Sequence, residues 1–239
     1  MEERHTRTAA LLGDTGMDNL KKSSVIIFGV GGVGGYVLEA IARAGISRIG
    51  LVDADEIKPS NLNRQIIATE DNLYEKKVSE AARRAKSINS KLCVDEYDLF
   101  YSAETKDKID LTKYDYVVDA IDTVKSKILL IEEAKRLGIP IISSMGTGNK
   151  LNPTAFRIAD IYKTKVCPLA RVMRSELRRR NIDSLKVLYS EEEPQNCQII
   201  DTDMPQRHSP ASISFVPAAA GLIIAGEVIL DIAFERSKK

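Results

Sequence analysis

At 239 residues and 44% hydrophobic content, the chain can fill the core of one large domain, which excludes wholesale disorder. A formal net charge of +1 confines any nucleic-acid affinity to a local patch. Cys93, Cys167 and Cys197 form no C-x-x-C pair, which excludes a paired-cysteine zinc site and a disulfide framework; with no signal-peptide pattern at the N-terminus, the expected setting is cytoplasmic.

In chain order, Val25–Phe28 reads as a first strand and Gly34–Ala44 as the helix after it. Between them lies Gly29-Val30-Gly31-Gly32-Val33-Gly34-Gly35. Strand, glycine turn and helix together make an anion site, because the helix start presents N–H groups and a favourable dipole. Gly29, Gly31 and Gly34 satisfy G-x-G-x-x-G in this context, and Gly32 adds a further bare backbone position. The pattern points to a nucleotide. It does not separate a redox dinucleotide from ATP.

Ile49–Val52 reads as the second strand and ends at Asp53, where a carboxylate can accept both ribose hydroxyls. Asp55 reads as structural. Ser60-Asn61-Leu62-Asn63-Arg64-Gln65 comes next, then a helix over Glu75–Ile88 that carries Lys77. Arg64 and Lys77 converging on one phosphate site exceed what a helix-held pyrophosphate needs. They suit a triphosphate, whose negative charge grows on the leaving pyrophosphate during adenylyl transfer. Both argue against a nicotinamide-dependent oxidoreductase.

Strands are predicted at Leu92–Tyr97, Tyr116–Val118 and Pro140–Ser144, with a helix over Lys125–Leu137. The alternation predicts an α/β fold: a Rossmann-like, mostly parallel sheet flanked by helices, with right-handed crossovers. Asp119-Ala120-Ile121-Asp122 closes the fourth strand. Asp119 still belongs to the apolar strand. Asp122 lies beyond it and is the candidate ligand for Mg2+, or else a cap for the following helix.

After Ser144 the rhythm changes. Met145–Asn149 reads as a loop, Phe156–Ile161 as a strand, Pro168–Arg180 as a helix and Leu185–Tyr189 as a short strand. Glu191 to Pro210, rich in acids and prolines, reads as a long loop. Ala211 to Phe234 is long enough to span a bilayer, but Pro217, Glu227 and Asp231 make Ala218–Phe234 a buried terminal helix, not a membrane anchor. The expected organisation is a single adenylating domain over 1–239, with a nucleotide-binding part at 1–150 and a smaller C-terminal substrate lobe at 151–239.

Lys163, Lys165, Arg171, Arg174, Arg178, Arg179, Arg180 and Lys186 face only Glu176 and Asp183 between residues 163 and 186. That predicts a positive face able to hold a phosphate backbone. Aromatic side chains are scarce there, so the face would position RNA without reading bases. His208 could titrate near neutrality, and Cys197 is a possible reactive thiol; both read better as bystanders.

Taken together, Gly29–Gly34, Asp53, Ser60–Gln65, Lys77 and Asp119–Asp122 resemble the adenylating fold of ubiquitin-activating enzymes and their bacterial relatives, the ThiF/MoeB group. The resemblance covers roughly residues 4–150. It implies ATP held by Gly31, Asp53, Asn61, Arg64 and Lys77, magnesium at Asp122, and an adenylated carboxylate as intermediate. It also implies a homodimer in which an N-terminal arginine reaches the partner's ATP; Arg7, within Arg4-His5-Thr6-Arg7, matches best. The paired cysteines of the sulfur-carrier enzymes are missing.

Asn152-Pro153-Thr154, Ala159–Thr164, Pro168–Arg171 and Phe215–Gly221 resemble the tRNA threonylcarbamoyladenosine dehydratase branch of that group. With them the resemblance spans nearly the whole chain. It implies tRNA as substrate, held by Arg171, Arg174, Arg178, Arg179 and Arg180, and ATP-driven loss of water from a modified adenosine. Whether a sulfur-transfer or carrier protein is a further partner is left open by the sequence; DNA is not expected.

Overall fold

The computed structural model describes residues 2–200 and 208–236, with the side chains of 198–200, 208 and 209 left aside. Its frame is a seven-stranded sheet in the order β3-β2-β1-β4-β5-β7-β6. The strands are β1 (Ser24–Phe28), β2 (Arg48–Val52), β3 (Cys93–Tyr97), β4 (Tyr116–Asp119), β5 (Ile141–Ser144), β6 (Phe156–Asp160) and β7 (Lys186–Ser190). Every pairing is parallel except β6 with β7. The central strands β1 and β4 are buried along their full length, as uninterrupted Val/Ile runs covered on both faces must be.

Helices pack on both faces. On one lie α1 (Thr6–Lys22), α2 (Gly34–Ala44), α3 (Lys77–Ile88) and α6 (Phe215–Ala233), around a core that includes Leu20, Leu38, Ile41 and Ile224. On the other lie α4 (Val124–Leu137) and α5 (Pro168–Arg179), around Phe28, Leu130, Ile131, Met173 and Leu177. Residues beyond 150 thus supply β6 and β7 to the common sheet, and α6 to the layer that also carries α2. α6 is long and apolar enough to cross a membrane, yet Val216, Ala220, Ile224 and Val228 are buried within the fold, as the terminal-helix reading expects.

Three features depart from the sequence reading. The first is α1, which the sequence pattern does not reveal; Gly13 (φ 73°, ψ 172°) breaks it internally. The second lies within residues 191–210, read as a loop. Gln198–Ile200 (β8) pairs antiparallel with His208–Pro210 (β9), so part of this segment is a hairpin; residues 201–207, and the side chain of His208, lie outside the described residues. The third is Lys186. It does not join the positive face of α5. Its Nζ donates to Glu227 Oε1 at 2.7 Å and Asp231 Oδ2 at 2.6 Å on α6, across the sheet. Side chains alternate along a strand, and Lys186 points to the face opposite α5.

Candidate nucleotide site

The carboxyl ends of β1, β2 and β4 open into a cavity of about 420 Å³, where a doubly wound sheet places its ligand. The glycine turn forms its floor. Gly29 has φ +85°, and a Cβ there would stand 2.6 Å from Ala120 O, so only glycine fits between β1 and the β4 loop. At Gly34 a Cβ would lie 1.8 Å from Gly29 O, so the helix start is folded directly onto the strand end. Gly31, Gly32 and Val33 then line the cavity at the N-terminus of α2, which has no side-chain cap. That arrangement presents backbone donors and a positive dipole end to the space above it.

Asp53 ends β2 and lines the same cavity. Its Oδ2 accepts from Val30 N at 2.7 Å and its Oδ1 from Asp55 N at 2.9 Å. It therefore tethers the glycine turn to the second strand and keeps lone pairs for a ligand. Burial raises its carboxyl above the usual range, against the opposing pull of Lys77 and the two backbone donors.

Lys77 opens α3 with its side chain buried, and its Nζ lies 2.7 Å from Asp55 Oδ2. Asp55, read as structural, fills that part. Arg64 is held by its own loop: Nη1 donates to Ser60 O and to Asn63 Oδ1, both at 2.8 Å. Desolvation pulls its guanidinium below the ordinary value. Asn61 is buried beside them, its Oδ1 accepting from Lys58 N at 3.0 Å. Asn61, Arg64 and Lys77 all line the cavity.

Asp122 stands at the rim, exposed, with its Oδ1 accepting, among the described residues, only from Thr123 Oγ1 at 3.2 Å. It is not a helix cap: α4 starts after Thr123 with no side-chain cap bond. Among the described residues no cluster of three or more acidic, His or Cys side chains could hold a metal by itself. A lone carboxylate at a triphosphate-sized cavity still fits magnesium, which takes few protein oxygens and fills its shell with phosphate and water.

Other parts of the site escaped the sequence reading. Leu99, Phe100 and Tyr101, just past β3, give the cavity an apolar wall. Its opposite side is made by Thr147, Gly148, Pro210 and Ser212. Asn149 fastens that side, its Oδ1 accepting from Ala211 N at 2.6 Å and its Nδ2 donating to Cys197 O at 3.0 Å. No cysteine lines the cavity among the described residues.

Arg7 is exposed on the first turn of α1, away from this chain's own cavity. His5 beside it is buried against Gly45 at the far end of α2. On α5, Arg171, Arg178, Arg179 and Arg180 are exposed, whereas half-buried Arg174 donates to Thr164 O at 3.0 Å. Arg178 stacks over Tyr162 at 5.1 Å, while Arg179 and Arg180 pair with Glu176.

The ThiF family model matches residues 3–233. The chain belongs to the ThiF family. Among ThiF relatives, tRNA threonylcarbamoyladenosine dehydratase of Bacillus subtilis is 39% identical over 246 residues, covering 97% of this chain and 95% of the relative. The sulfur carrier protein adenylyltransferase of Thermus thermophilus is 35% identical over 131 residues, 55% of this chain and 48% of the relative. The crystal structure of E. coli tRNA N6-threonylcarbamoyladenosine dehydratase in complex with ATP superposes with TM-score 0.88 at 28% identity, covering 99% of this chain and 96% of that one.

Proposed function

We propose that this protein converts threonylcarbamoyladenosine in tRNA to its cyclic, dehydrated form with consumption of ATP. The observation that carries the reading is the cavity itself. Glycine turn, ribose-level carboxylate, two cations and a rim carboxylate meet in one space, in a chain of which 97% matches a dehydratase relative.

The threonyl carboxylate attacks the α-phosphorus of ATP, the bond to the β-phosphate oxygen breaks, and pyrophosphate leaves. The carbamoyl nitrogen then attacks the acyl carbon and gives up its proton, and AMP leaves with the former carboxylate oxygen. One water is lost from the nucleoside overall. Arg64 and Lys77 hold the phosphates as their charge shifts to the leaving group. Gly29, Gly31, Gly32 and Gly34 let the backbone approach, and Asp53 takes the ribose hydroxyls. Asn61 fixes the loop that carries Arg64. Asp122 would hold magnesium, which neutralises phosphate charge.

The molecule works in the cytoplasm as a homodimer, with Arg7 of each copy serving the other's cavity. Residues 151–239 form the substrate side, and the arginines of α5 hold the tRNA backbone. The Thermus relative favours one further reading, adenylation of a carrier protein's C-terminus or help from a sulfur-transfer partner. The test is mass spectrometry of tRNA nucleosides after incubation with ATP, magnesium and the protein. A modified adenosine lighter by one water is expected, and Asp122→Ala abolishes it. Unchanged nucleosides, with pyrophosphate exchange that depends on a Gly-Gly-ended carrier, would select the carrier reading.

A further inference from the structure

Directly beneath the cavity lies a charge pair that the nucleotide chemistry does not use. Asp119, at the end of β4, and Lys127, on α4, are both 0% exposed, and their Oδ2 and Nζ lie 2.9 Å apart. Each partner also bonds the backbone of one residue, Ile121. Asp119 Oδ1 accepts from Ile121 N at 3.1 Å, and Lys127 Nζ donates to Ile121 O at 3.0 Å. Ser143 Oγ, on β5, donates to Asp119 Oδ2 and fixes the carboxylate from the other side. Ala120 N donates to Phe28 O at 2.8 Å, which pins the start of the same link.

We propose that Asp119 and Lys127 are a positioning pair: by holding the backbone N–H and C=O of Ile121 they set where Asp122 stands at the cavity rim. The inference rests on the nucleotide reading of that cavity. Asp122 has little else to hold it. Among the described residues its carboxylate meets only the neighbouring Thr123 hydroxyl, and α4 begins without a side-chain cap. A fully buried ion pair is a weak source of stability, because desolvation consumes most of the Coulomb gain. Its distinctive yield is directional, since charged donors and acceptors in a dry interior hold their partners in one geometry. Here that geometry belongs to a three-residue link whose last member faces the ligand.

The test is a double variant, Asp119→Asn with Lys127→Met, which removes both charges and leaves neither unpaired. In metal-free protein, hydrogen–deuterium exchange over residues 119–124 should quicken about tenfold while β1 and β2 stay protected. With ATP and magnesium, kcat for adenylation should fall on the order of 10–100-fold with the KM for ATP little changed, the signature of a misplaced group. The magnesium concentration for half-maximal rate should rise. Ser143→Ala, which keeps both charges, should give the same changes at smaller amplitude and stands in if the double variant does not fold. A lower melting temperature with unchanged local exchange, kcat and magnesium response overturns the proposal. Asp122→Ala is the reference. If it loses activity while the pair variants keep theirs, positioning alone fails. If it keeps full activity, the magnesium reading of Asp122 fails, and the exchange measurement still decides whether the pair holds the link.

Discussion

Lys77 has its ammonium against Asp55, whose carboxylate is 71% exposed. A triphosphate entering the cavity can take over the donors that Lys77 does not spend on Asp55, since an ammonium carries three. Lys77→Met keeps the aliphatic stem and removes only those donors. A lost charge-assisted hydrogen bond is worth about 1.5–3 kcal/mol, so ATP affinity should fall roughly 10–100-fold by calorimetry, with melting temperature little changed. Gly34→Ala should act differently. Its Cβ would collide with Gly29 O, a backbone atom that cannot swing away. Loss of ATP binding and of thermal stability together is the expected result.

Two elements offer tests of how the frame is held. α1 is anchored at its start by His5, 5% exposed, with neither ring nitrogen hydrogen-bonded. Burial pulls His5 below its ordinary value of 6.5, with Glu2 opposing and Arg4 and Lys21 adding to the effect. The folded state thus favours the neutral ring, so the stability it contributes is complete above the ordinary value and is lost as pH falls through the depressed one. Melting temperature measured from about pH 7.5 to about pH 5 should drop more steeply in the native protein than in His5→Leu. The second anchor is Asp231 on α6, which accepts from Tyr116 OH at 2.8 Å and from Lys186. Asp231→Ala leaves a buried phenol without its acceptor and should cost about 1–3 kcal/mol in denaturant unfolding.

The same elements mark what sequence could convey. β1, α2, β2 and the cavity residues from Gly29 to Lys77 were legible because local spacing carries them: a glycine turn and a strand-end acid need no tertiary knowledge. α1 was not, because Gly16 and Ala9 supply half of its buried stripe, Ala9, Gly16, Met17 and Leu20, and small residues leave a faint period. Nothing in the local sequence marks Lys127 as the partner of Asp119, eight residues earlier, because only the fold buries the two together. Lys186 was placed on the wrong surface for a related reason: composition counts charges but does not say which side of a strand they leave from.

At the scale of the whole molecule, Arg7 and the cavity stand apart within one chain, so a shared site requires two copies. Arg7→Ala alone should be inactive, and Lys77→Met alone nearly so at ATP concentrations well below its weakened affinity. In the proposed homodimer, mixing with subunit exchange leaves half of the dimers with one intact site of two, so about a quarter of native activity should return. No recovery would overturn the assignment of Arg7 to the other copy's cavity. The sheet's two outer strands also have a consequence for the protein as a solute. β3 shows solvent its Asp95, paired with Arg48, and Glu96, paired with Lys86; β6 shows Arg157, paired with Glu191. Charges on both rims discourage another chain from adding a strand there. Concentrated solutions should therefore resist amyloid-like stacking, and aggregation on heating should wait for the helices to detach.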